Sequence, residues 1–407
     1  MFNILLDGPG ISAELKPAEY ISFARLFQVI PMDAVKEALC ATASNDKRER
    51  DLPNRYMAYF VIALSLFSHC SHQEVFRNLV ETLKTMFGPM FDTKIPAKSS
   101  ITEARQRLGQ KPFEHLFRKV VKPIAVREKT IGAFFKGLRL VGIDGCHFTV
   151  PDTVENEREF GRATGTDNIP AAYPAIRCVG LIELGTRVLF DYEIGAAGGA
   201  KDVSEVALAK KLLPRLQNDQ LCLGDRLYGA NFRMWRIAKN TGAGLLWRIR
   251  KDIRLDCEEV LPDGSYMSTF YDGDRKRIGA ESEKVRVIEF DVKLGSAEPE
   301  RYRLITTLEH GQATLDELAE LYHERWEYEN TNKEHKQVLN AHLDGLRSKT
   351  PTLVIQELLG VFLAHFATRS FLHEAALSAN IDVDRLSFKH AISVIRRRAP
   401  QAGAFPP

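Results

Sequence analysis

A change of hydrophobic period near residue 138 constrains the fold of this chain most. Before it, apolar residues recur every three or four positions, and Val75, Leu79 and Leu83 indicate one such amphipathic helix. After it come three β-rich runs, LRLVGID, AIRCVGLIEL and TRVLFDYEI, and Gly185-Thr186 marks a turn between the second and the third. The pattern predicts a helical N-terminal part followed by a strand-rich part.

The strand-rich part continues with alternating helices and strands. Residues 204–216 have helical spacing, LCLGD is a short apolar strand that ends in an acid, and LLWRIR is a strand after a further helix. This order predicts an α/β fold with a mixed sheet. Residues 251–303 differ, because the turn Pro262-Asp263-Gly264 and the alternating KVRVIEFDV interrupt that order. We interpret them as a β-rich insertion.

Two further helices are predicted toward the end of the chain. A capping box from Thr314 to Glu317 opens a long helix through about Leu339. A second helix, which has an apolar face, is predicted from about Thr352 to Ala375. The chain is therefore expected to comprise an all-helical N-terminal domain (1–137), an α/β domain (138–375) and a basic C-terminal segment (376–407).

The charge of the N-terminal part is unevenly distributed. The whole chain has a net charge of only +3, but residues 98–139 contain eleven basic and three acidic residues. Such a basic surface is what neutralisation of DNA phosphates requires, although a solvated helix face would have the same composition. Ser100 to Glu103 form a possible capping box, and a second short helix is predicted from Pro112 to Lys122. The pair resembles a helix-turn-helix, which is a weak signal.

Cysteine usage and hydropathy indicate a cytoplasmic protein. The six cysteines are scattered and form no CxxC motif, as is typical of reduced thiols. The N-terminus lacks the features of a signal peptide. The most apolar stretch, residues 56–67, is too short to span a bilayer, so no membrane partner is expected.

Two acids occupy corresponding places in the predicted sheet. Asp144 ends the strand LVGID, and Asp225 ends the strand LCLGD. Acids at the carboxyl ends of buried strands project into the crevice where α/β sheets bind ligands. The competing interpretation is that Asp144-Gly145 is a turn and that Asp225-Arg226 is a local ion pair.

The predicted long helix carries a third acid. When each residue turns the helix by about 100°, one face collects five polar side chains: Tyr322, Arg325, Glu329, Lys333 and Lys336. The apolar Leu315 and Leu318 begin the same face, so it should point inward, where charges cost free energy unless they are paired or bind a ligand. Alternatively, the face leaves the core and forms solvated pairs such as Glu329 with Lys333.

Together the three acids suit a divalent metal. Carboxylates from Asp144, Asp225 and Glu329 are hard oxygen ligands, which favour Mg²⁺ or Mn²⁺ over zinc. Two such ions, roughly 3.5–4 Å apart, can activate a water and stabilise the leaving oxygen in phosphodiester cleavage.

The spacing Tyr322-x2-Arg325-x3-Glu329-x6-Lys336 resembles the Tyr-Arg-Glu-Lys signature of the insertion-sequence-four (IS4) family of bacterial transposases. Seven other segments are similar to that family in the same order: SITEARQRLG, DGCHFTVPDTVENEREFGR, AYPAIRCVGLIELGTRVLFD, LCLGDRLYGA, TGAGLLWRIR, LPDGSY and LDGLRSKTP. The likeness extends from about Leu26 to Arg398 and so covers most of the chain.

The resemblance implies a ribonuclease-H-like catalytic core interrupted by a β insertion. We therefore expect residues 138–375 to be the catalytic domain and the helical residues 1–137 to be a DNA-binding domain. Asp144, Asp225 and Glu329 match the DDE triad, the catalytic residues that bind Mg²⁺ or Mn²⁺, with two ions expected. Tyr322, Arg325 and Lys336 match the residues that hold transposon-end phosphates. Lys333, on the same helix face, is also expected to contact DNA.

A DNA transposase is therefore expected, one that cuts at terminal inverted repeats and joins the released 3′-hydroxyl to target DNA. Its expected partner is double-stranded DNA, with a homodimer on paired ends in the bacterial cytoplasm, at the nucleoid. One alternative is a metal-dependent nuclease of the same fold without strand transfer. The other is a catalytically silent protein that binds terminal repeats, although the presence of all three acids favours an active enzyme.

Overall fold

The computed structural model describes residues 25–48, 50–87, 94–164, 169–273, 280–292, 300–339 and 345–398. Six helices precede the sheet in this part of the chain: α1 (Leu26–Val29), α2 (Met32–Ala41), α3 (Asn54–Leu66), α4 (His72–Phe87), α5 (Lys98–Leu108) and α6 (Lys111–Val120). The helical character predicted for the N-terminal part is confirmed.

The start of α5 corrects one prediction. The helix begins at Lys98 after Ala97, whose side chain makes no capping hydrogen bond. The predicted capping box at Ser100 is therefore wrong, because Ser100 already lies within the first turn. A tight turn at Gly109, with a positive φ of 71°, separates α5 from α6. Two short helices across a tight turn are thus present where they were predicted.

The described residues after α6 form ten strands: β1 (Phe134–Phe135), β2 (Leu138–Thr149), β3 (Ala175–Glu183), β4 (Val188–Ala196), β5 (Gln220–Gly224), β6 (Gly244–Arg248), β7 (Glu259–Val260), β8 (Tyr266–Tyr271), β9 (Ser282–Val292) and β10 (Glu300–Thr306). They make one sheet in the order β4-β3-β2-β5-β6-β10-β9-β8-β7, with β1 beside β2. Strands β2, β5 and β6 are parallel, and β3 and β4 are antiparallel to their neighbours. This is the strand order of a ribonuclease-H-like core, so the predicted mixed α/β fold is confirmed.

The strands of the predicted insertion extend this sheet. Strand β10 pairs antiparallel with β6, and β9, β8 and β7 follow in turn. The insertion is therefore β-rich, as predicted, and it is continuous with the core sheet at the edge formed by β6.

Helices connect and cover the strands: α7 (Val154–Phe160), α8 (Glu205–Leu212), α9 (Arg226–Gly229), α10 (Phe232–Lys239), α11 (Leu315–Leu321), α12 (Trp326–Lys333), α13 (Pro351–Ala379) and α14 (Phe388–Arg398). The side chain of Ser204 caps α8 by accepting a hydrogen bond from the amide of Ala207. A single 3₁₀ turn, residues 213–215, continues α8, so the helix predicted over residues 204–216 is confirmed.

The long helix predicted from Thr314 to Leu339 is interrupted twice. Its capping box is present, since Thr314 and Glu317 exchange side-chain-to-backbone hydrogen bonds. However, residues 322–325 form a 3₁₀ turn between α11 and α12, and residues 334–339 form a π-helical segment. An ideal projection at 100° per residue therefore does not apply to the whole of this helix.

Helix α13 is the central element of the helical layer. The predicted apolar face is buried, and so are most side chains on the other faces of the helix. A Cβ on Gly360 would lie 2.9 Å from the carbonyl oxygen of Val61, which shows how closely α13 approaches α3. Among the described helices, α13 has the length and composition of a membrane span, but 83% of its apolar window is buried inside the protein. Helix α13 is thus a core helix, and it shares one hydrophobic core with the N-terminal helices.

Candidate active site

Asp144 lies in the middle of β2, which continues to Thr149. The prediction that Asp144 ends its strand was wrong, and so was the alternative of a turn at Asp144-Gly145. The parallel pairing of β2 with β5 ends at Gly142 and Leu223, so Asp144 lies beyond the end of β5. Asp225 directly follows β5. Both aspartates therefore lie at the carboxyl end of β5, as the ligand-binding crevice of such a sheet requires.

The two aspartates interact electrostatically. Burial and the charge of Asp225 raise the pKa of Asp144 to about 7. The amide of Gly145 donates a 2.8 Å hydrogen bond to Oδ1 of Asp144, which opposes this shift. The side chain of Asp225 caps α9 and accepts a 2.8 Å hydrogen bond from the amide of Leu227. The structure thus brings Asp144 and Asp225 together.

Arg325 links these aspartates to Glu329. Its Nη2 lies 3.4 Å from Oε1 of Glu329, one helical turn further along. Burial lowers the pKa of Arg325, but Tyr322 and the three acids Asp144, Asp225 and Glu329 together raise it above its ordinary value. Arg325 therefore lies within the field of all three predicted triad carboxylates.

The three predicted triad carboxylates are only partly assembled. Within the described ranges, no three histidine, cysteine, aspartate or glutamate side chains stand close enough together to hold one metal ion. Asp144 and Asp225 influence each other through their charges, whereas Glu329 pairs with Arg325. The pairing of Glu329 with Lys333, the alternative from helix geometry, is not the one the structure has.

Two tyrosines attach the Glu329 helix to the sheet. The hydroxyl of Tyr322 donates a 3.1 Å hydrogen bond to the carbonyl oxygen of Gly224, and that of Tyr328 donates a 2.7 Å bond to the carbonyl oxygen of Asp144. Tyr322 is buried, with 5% of its surface exposed. This placement favours a positioning role for Tyr322 over the phosphate contact expected from the resemblance.

Sequence reasoning missed Tyr328. It projects away from the face that carries Tyr322 and Glu329, so the helical pattern did not select it. A Cβ on Gly180 would lie 2.8 Å from the hydroxyl of Tyr328, so the glycine makes room for this ring. In the sequence, only its aromatic character within a largely charged helix could have indicated this residue.

The two predicted lysines are exposed. Lys333 lies at the end of α12, and Lys336 lies in the π-helical segment. The Nζ of Lys336 is 5.8 Å from the ring centroid of Phe148 on β2, and its charge helps to lower the pKa of His147, after burial and Arg177. Lys336 therefore lies near the continuation of β2 beyond Asp144.

Glu205, the first residue of α8, is a second residue that sequence reasoning missed. Its carboxylate packs against the backbone of Gly145, since a Cβ there would lie 2.3 Å from its Cδ. Burial and the charge of Asp225 raise the pKa of Glu205. The signal in the sequence was an acid directly after an N-capping serine, in the connection that follows β4.

The structure leaves fewer basic side chains available to DNA than the sequence predicted. Arg105 is buried and donates hydrogen bonds to Gln356, Ser348 and the carbonyl of Leu353, so it is unavailable to DNA. Several others are paired within the protein, Arg107 with Asp46, Lys119 with Glu37, Lys136 with Glu317 and Arg139 with Glu183. Six exposed basic side chains remain: Lys98, Lys111, Arg118, Lys122, Arg127 and Lys129.

Part of the basic C-terminal segment also packs on the protein. The guanidinium of Arg396 donates to the carbonyl oxygens of Leu66 and Val338.

Comparison with known families identifies this arrangement. Residues 136–367 match the model of the transposase DDE domain, and residues 20–118 match the model of the insertion element 4 transposase N-terminal region. The first match spans more than half of the chain and contains both aspartates, Arg325 and Glu329. The chain therefore belongs to the DDE transposases, and its N-terminal region is similar to that of insertion element 4 transposases.

Two bacterial relatives agree with this assignment. The transposase InsG of insertion sequence element IS4 from Escherichia coli K12 is 28% identical over 374 residues, covering 90% of this chain and 80% of the relative. The putative transposase InsZ from the same organism is 28% identical over 206 residues, covering 50% of this chain and 64% of InsZ. The family resemblance stated from the sequence is confirmed.

A solved structure, a piggyBac transposase synaptic complex with hairpin DNA, aligns with 95% of this chain and 81% of that one, at a TM-score of 0.46 and 11% identity.

The family defines the activity in outline. The chain is a DNA transposase, an enzyme that acts on DNA, and its DDE domain implies dependence on a divalent metal.

Proposed function

We propose that Asp144, Asp225 and Glu329 are the catalytic carboxylates of this transposase and hold two Mg²⁺ or Mn²⁺ ions. The supporting observation is the grouping of two aspartates at the end of β5 with Arg325 and Glu329. Burial and the charge of Asp225 raise the pKa of Asp144, so a bound cation would stabilise the charged form of this carboxylate. Carboxylate oxygens are the donors that a hard divalent cation prefers.

The neighbouring residues would prepare the DNA for reaction. Metal ions bound here would activate water and stabilise the leaving oxygen of the cleaved phosphodiester. Arg325 has a planar fork that suits two phosphate oxygens at once, and it would pass from Glu329 to the phosphate of the cleaved strand. Lys333 and Lys336 would hold the DNA backbone nearby. Tyr322 and Tyr328 fix the helix that presents these groups.

The proposed reaction is cut-and-paste transposition. The enzyme nicks DNA at the terminal inverted repeats, and the released 3′-hydroxyl then attacks the opposite strand and later the target. One set of carboxylates serves each step, because every step is an in-line attack on a phosphodiester. A homodimer would hold the paired ends, in the cytoplasm at the nucleoid.

The three parts of the chain would divide these tasks. Residues 1–137 would bind terminal repeats through their exposed basic side chains, and residues 138–375 would carry the chemistry. The basic segment 376–407 would follow the catalytic domain.

The test is a reaction with the full-length protein, a duplex that carries the element's terminal repeat, and Mg²⁺. We expect both nicked ends and ends joined to a target duplex. Nicking without joined product would replace this function with that of a nuclease. Repeat binding without nicking would indicate a catalytically silent protein.

A further inference from the structure

The turn between β7 and β8 of the insertion, residues 261–265, is organised around one carboxylate. The side chain of Asp263 has 12% of its surface exposed. Its Oδ1 accepts hydrogen bonds from the hydroxyl and from the amide of Ser265, at 2.6 and 3.2 Å. These bonds orient the carboxylate within the turn and leave Oδ2 for partners in other elements.

The second oxygen of Asp263 binds the start of the helical segment that carries Glu329. Oδ2 accepts a 2.7 Å hydrogen bond from the amide of Leu315, the first residue of α11. The helix has a cap of its own, because the side chain of Thr314 accepts from the amide of Glu317. Asp263 thus satisfies a different amide of the first turn, one that the local cap does not reach.

A buried arginine holds Asp263 in this position. Arg286, on β9, has 2% of its side chain exposed, and its Nη2 donates a 2.5 Å hydrogen bond to Oδ2 of Asp263. Its Nη1 donates to the carbonyl oxygens of Ala313 and Leu308, at 2.7 and 3.3 Å. Both carbonyls belong to the connection between β10 and α11. Arg286 and Asp263 therefore fix together the segment that enters the helix.

The charged pair provides direction rather than stability alone. Burial by itself would raise the pKa of Asp263, but its hydrogen bonds and the charge of Arg286 lower that pKa below its ordinary value, so the carboxylate is charged at neutral pH. Removing two charges from water costs free energy, and apolar residues of similar size often stabilise a fold equally well. Apolar packing would not, however, supply the directed hydrogen bonds that define where the helix begins.

Two attachments set the direction of this helical segment relative to the sheet. Asp263 holds its first residue, and further along the hydroxyl of Tyr322 bonds to the carbonyl oxygen of Gly224. A rod that is attached at one point can pivot, whereas two points define its direction. Arg325 and Glu329 continue from the second attachment, so a shift at the first changes the angle at which Glu329 approaches the two aspartates.

We propose that Asp263 is a positioning residue for the transposition reaction, because through the amide of Leu315 it aligns the helical segment that presents Glu329. The inference rests on the proposed catalytic role of Glu329. Asp263 contacts neither the metal nor the DNA in this role. The β-rich insertion thereby contributes to the geometry of the active site, and the segment LPDGSY, which contains Asp263, is its point of attachment.

The test removes the donor of the bond rather than its acceptor. Asp263→Ala would leave the buried Arg286 without its acid, which is strongly destabilising. Leu315→Pro removes only the amide hydrogen, and proline is compatible with the first position of a helix. Thr314 before it already has the extended conformation that proline requires, with φ −78° and ψ 166°.

Two controls isolate the bond. Leu315→Ala shortens the same side chain but keeps the amide that Asp263 accepts. Tyr266→Phe removes a hydrogen bond to Glu289 within the insertion, which does not involve α11. The readout is the nicking rate at saturating Mg²⁺, expressed per transposon end bound by the full-length protein on a duplex that carries the terminal repeat.

We expect Leu315→Pro to lower the rate per bound end by about tenfold or more, because a small misplacement of a catalytic group is costly. End affinity should be unchanged, and both controls should nick near the wild-type rate. A purely structural defect would remove end-binding protein and activity in the same proportion and leave the rate per bound end at the wild-type value, which would overturn the proposal. Equal slowing by Leu315→Ala would also overturn it, since the side chain would then be responsible.

Glu329→Gln separates failure of this inference from failure of the proposed function. If Glu329→Gln abolishes nicking while Leu315→Pro keeps the wild-type rate per bound end, Asp263 is not a positioning residue and the proposed function stands. If Glu329→Gln nicks like the wild type, the proposed catalytic role of Glu329 is wrong, and the inference that rests on it fails as well.

Discussion

The hydroxyl of Tyr322 donates a 3.1 Å hydrogen bond to the carbonyl oxygen of Gly224, the residue before Asp225. This bond joins the 3₁₀ turn between α11 and α12 to the end of β5. Arg325 is the last residue of the same turn, and Glu329 follows one turn later. The position of the helical residues relative to Asp225 is therefore set by a contact across 98 residues of sequence.

Removal of this bond is the first prediction. Tyr322→Phe leaves the buried carbonyl of Gly224 without its tyrosine donor, so we expect the free energy of unfolding to fall by about 1 kcal/mol. Nicking should slow while affinity for the transposon end stays near wild type. Denaturant unfolding and an end-binding titration measure the two effects, with the exposed Tyr173→Phe as control. Weaker end binding at unchanged stability would instead assign Tyr322 to phosphate contact.

The second prediction concerns Asp225. Asp225→Asn retains an oxygen that can accept the amide of Leu227, so the cap of α9 should survive. We expect Mg²⁺-dependent nicking to fall by about a thousandfold or more, because metal stabilisation of the transition state is worth several kcal/mol. End binding should change little. Nicking assays on purified variants decide this, with Asp252→Asn, an exposed acid paired with Arg250, as control. Retained nicking would remove Asp225 from the triad.

The third prediction compares the contributions of Arg325 and Lys333 to end cleavage. Arg325→Lys keeps the charge beside Glu329 but lacks the planar fork that can grip two phosphate oxygens. We expect it to slow end cleavage by about tenfold or more, whereas Lys333→Arg should have a smaller effect. Cleavage rates on intact and pre-nicked ends are the measurement. Near-wild-type rates for Arg325→Lys on both substrates would show that Arg325 does not bind the phosphate and has only a structural role within the helix.

The fourth prediction distinguishes the basic residues of the N-terminal part that contact DNA from those that support the fold. Replacing the exposed Lys111, Lys122 and Lys129 by alanine should reduce the slope of log affinity against log salt by about 0.9 for each phosphate that the variant no longer neutralises. The variant should unfold at the wild-type denaturant concentration. A slope equal to that of wild type would show that these lysines do not contact DNA.

Arg105→Ala is the matched contrast within the same basic stretch. Arg105 is buried and satisfies groups on Gln356, Ser348 and Leu353. Its removal should lower the free energy of unfolding by about 3 kcal/mol and leave the salt dependence of the remaining folded protein unchanged. A change in the salt slope at wild-type stability would place Arg105 on the DNA.

Sequence patterns did not predict where the strand that carries Asp144 ends. The apolar run to Ile143 predicted a strand, and Asp144-Gly145 resembled its end. In the folded protein β2 continues because residues 144–149 pair with residues 175–180 of β3. That pairing joins segments that are well separated along the chain, and no local signal reports it.

The helix that carries Glu329 was likewise predictable only in part. The capping box of Thr314 and Glu317 and the contact of Arg325 with Glu329 were predictable, because both are interactions within one or two turns. The 3₁₀ turn and the π-helical segment were not. They occur where Tyr322 bonds to Gly224 and where Glu334 is held by Arg369 and His365, contacts that depend on other elements.

The sequence by itself determined the local elements, the family signature and the identity of the three acids proposed as the triad, since hydrophobic period, caps and residue spacing act over short distances along the chain. Only the tertiary structure decided that Arg105 is buried, that Tyr322 and Tyr328 bind strand carbonyls, and that Glu205 lies beside Asp144. Each of those outcomes depends on which distant segment packs against the residue. Burial and electrostatic neighbours are properties of the packed molecule, and they determine whether a charged side chain supports the core or faces the DNA.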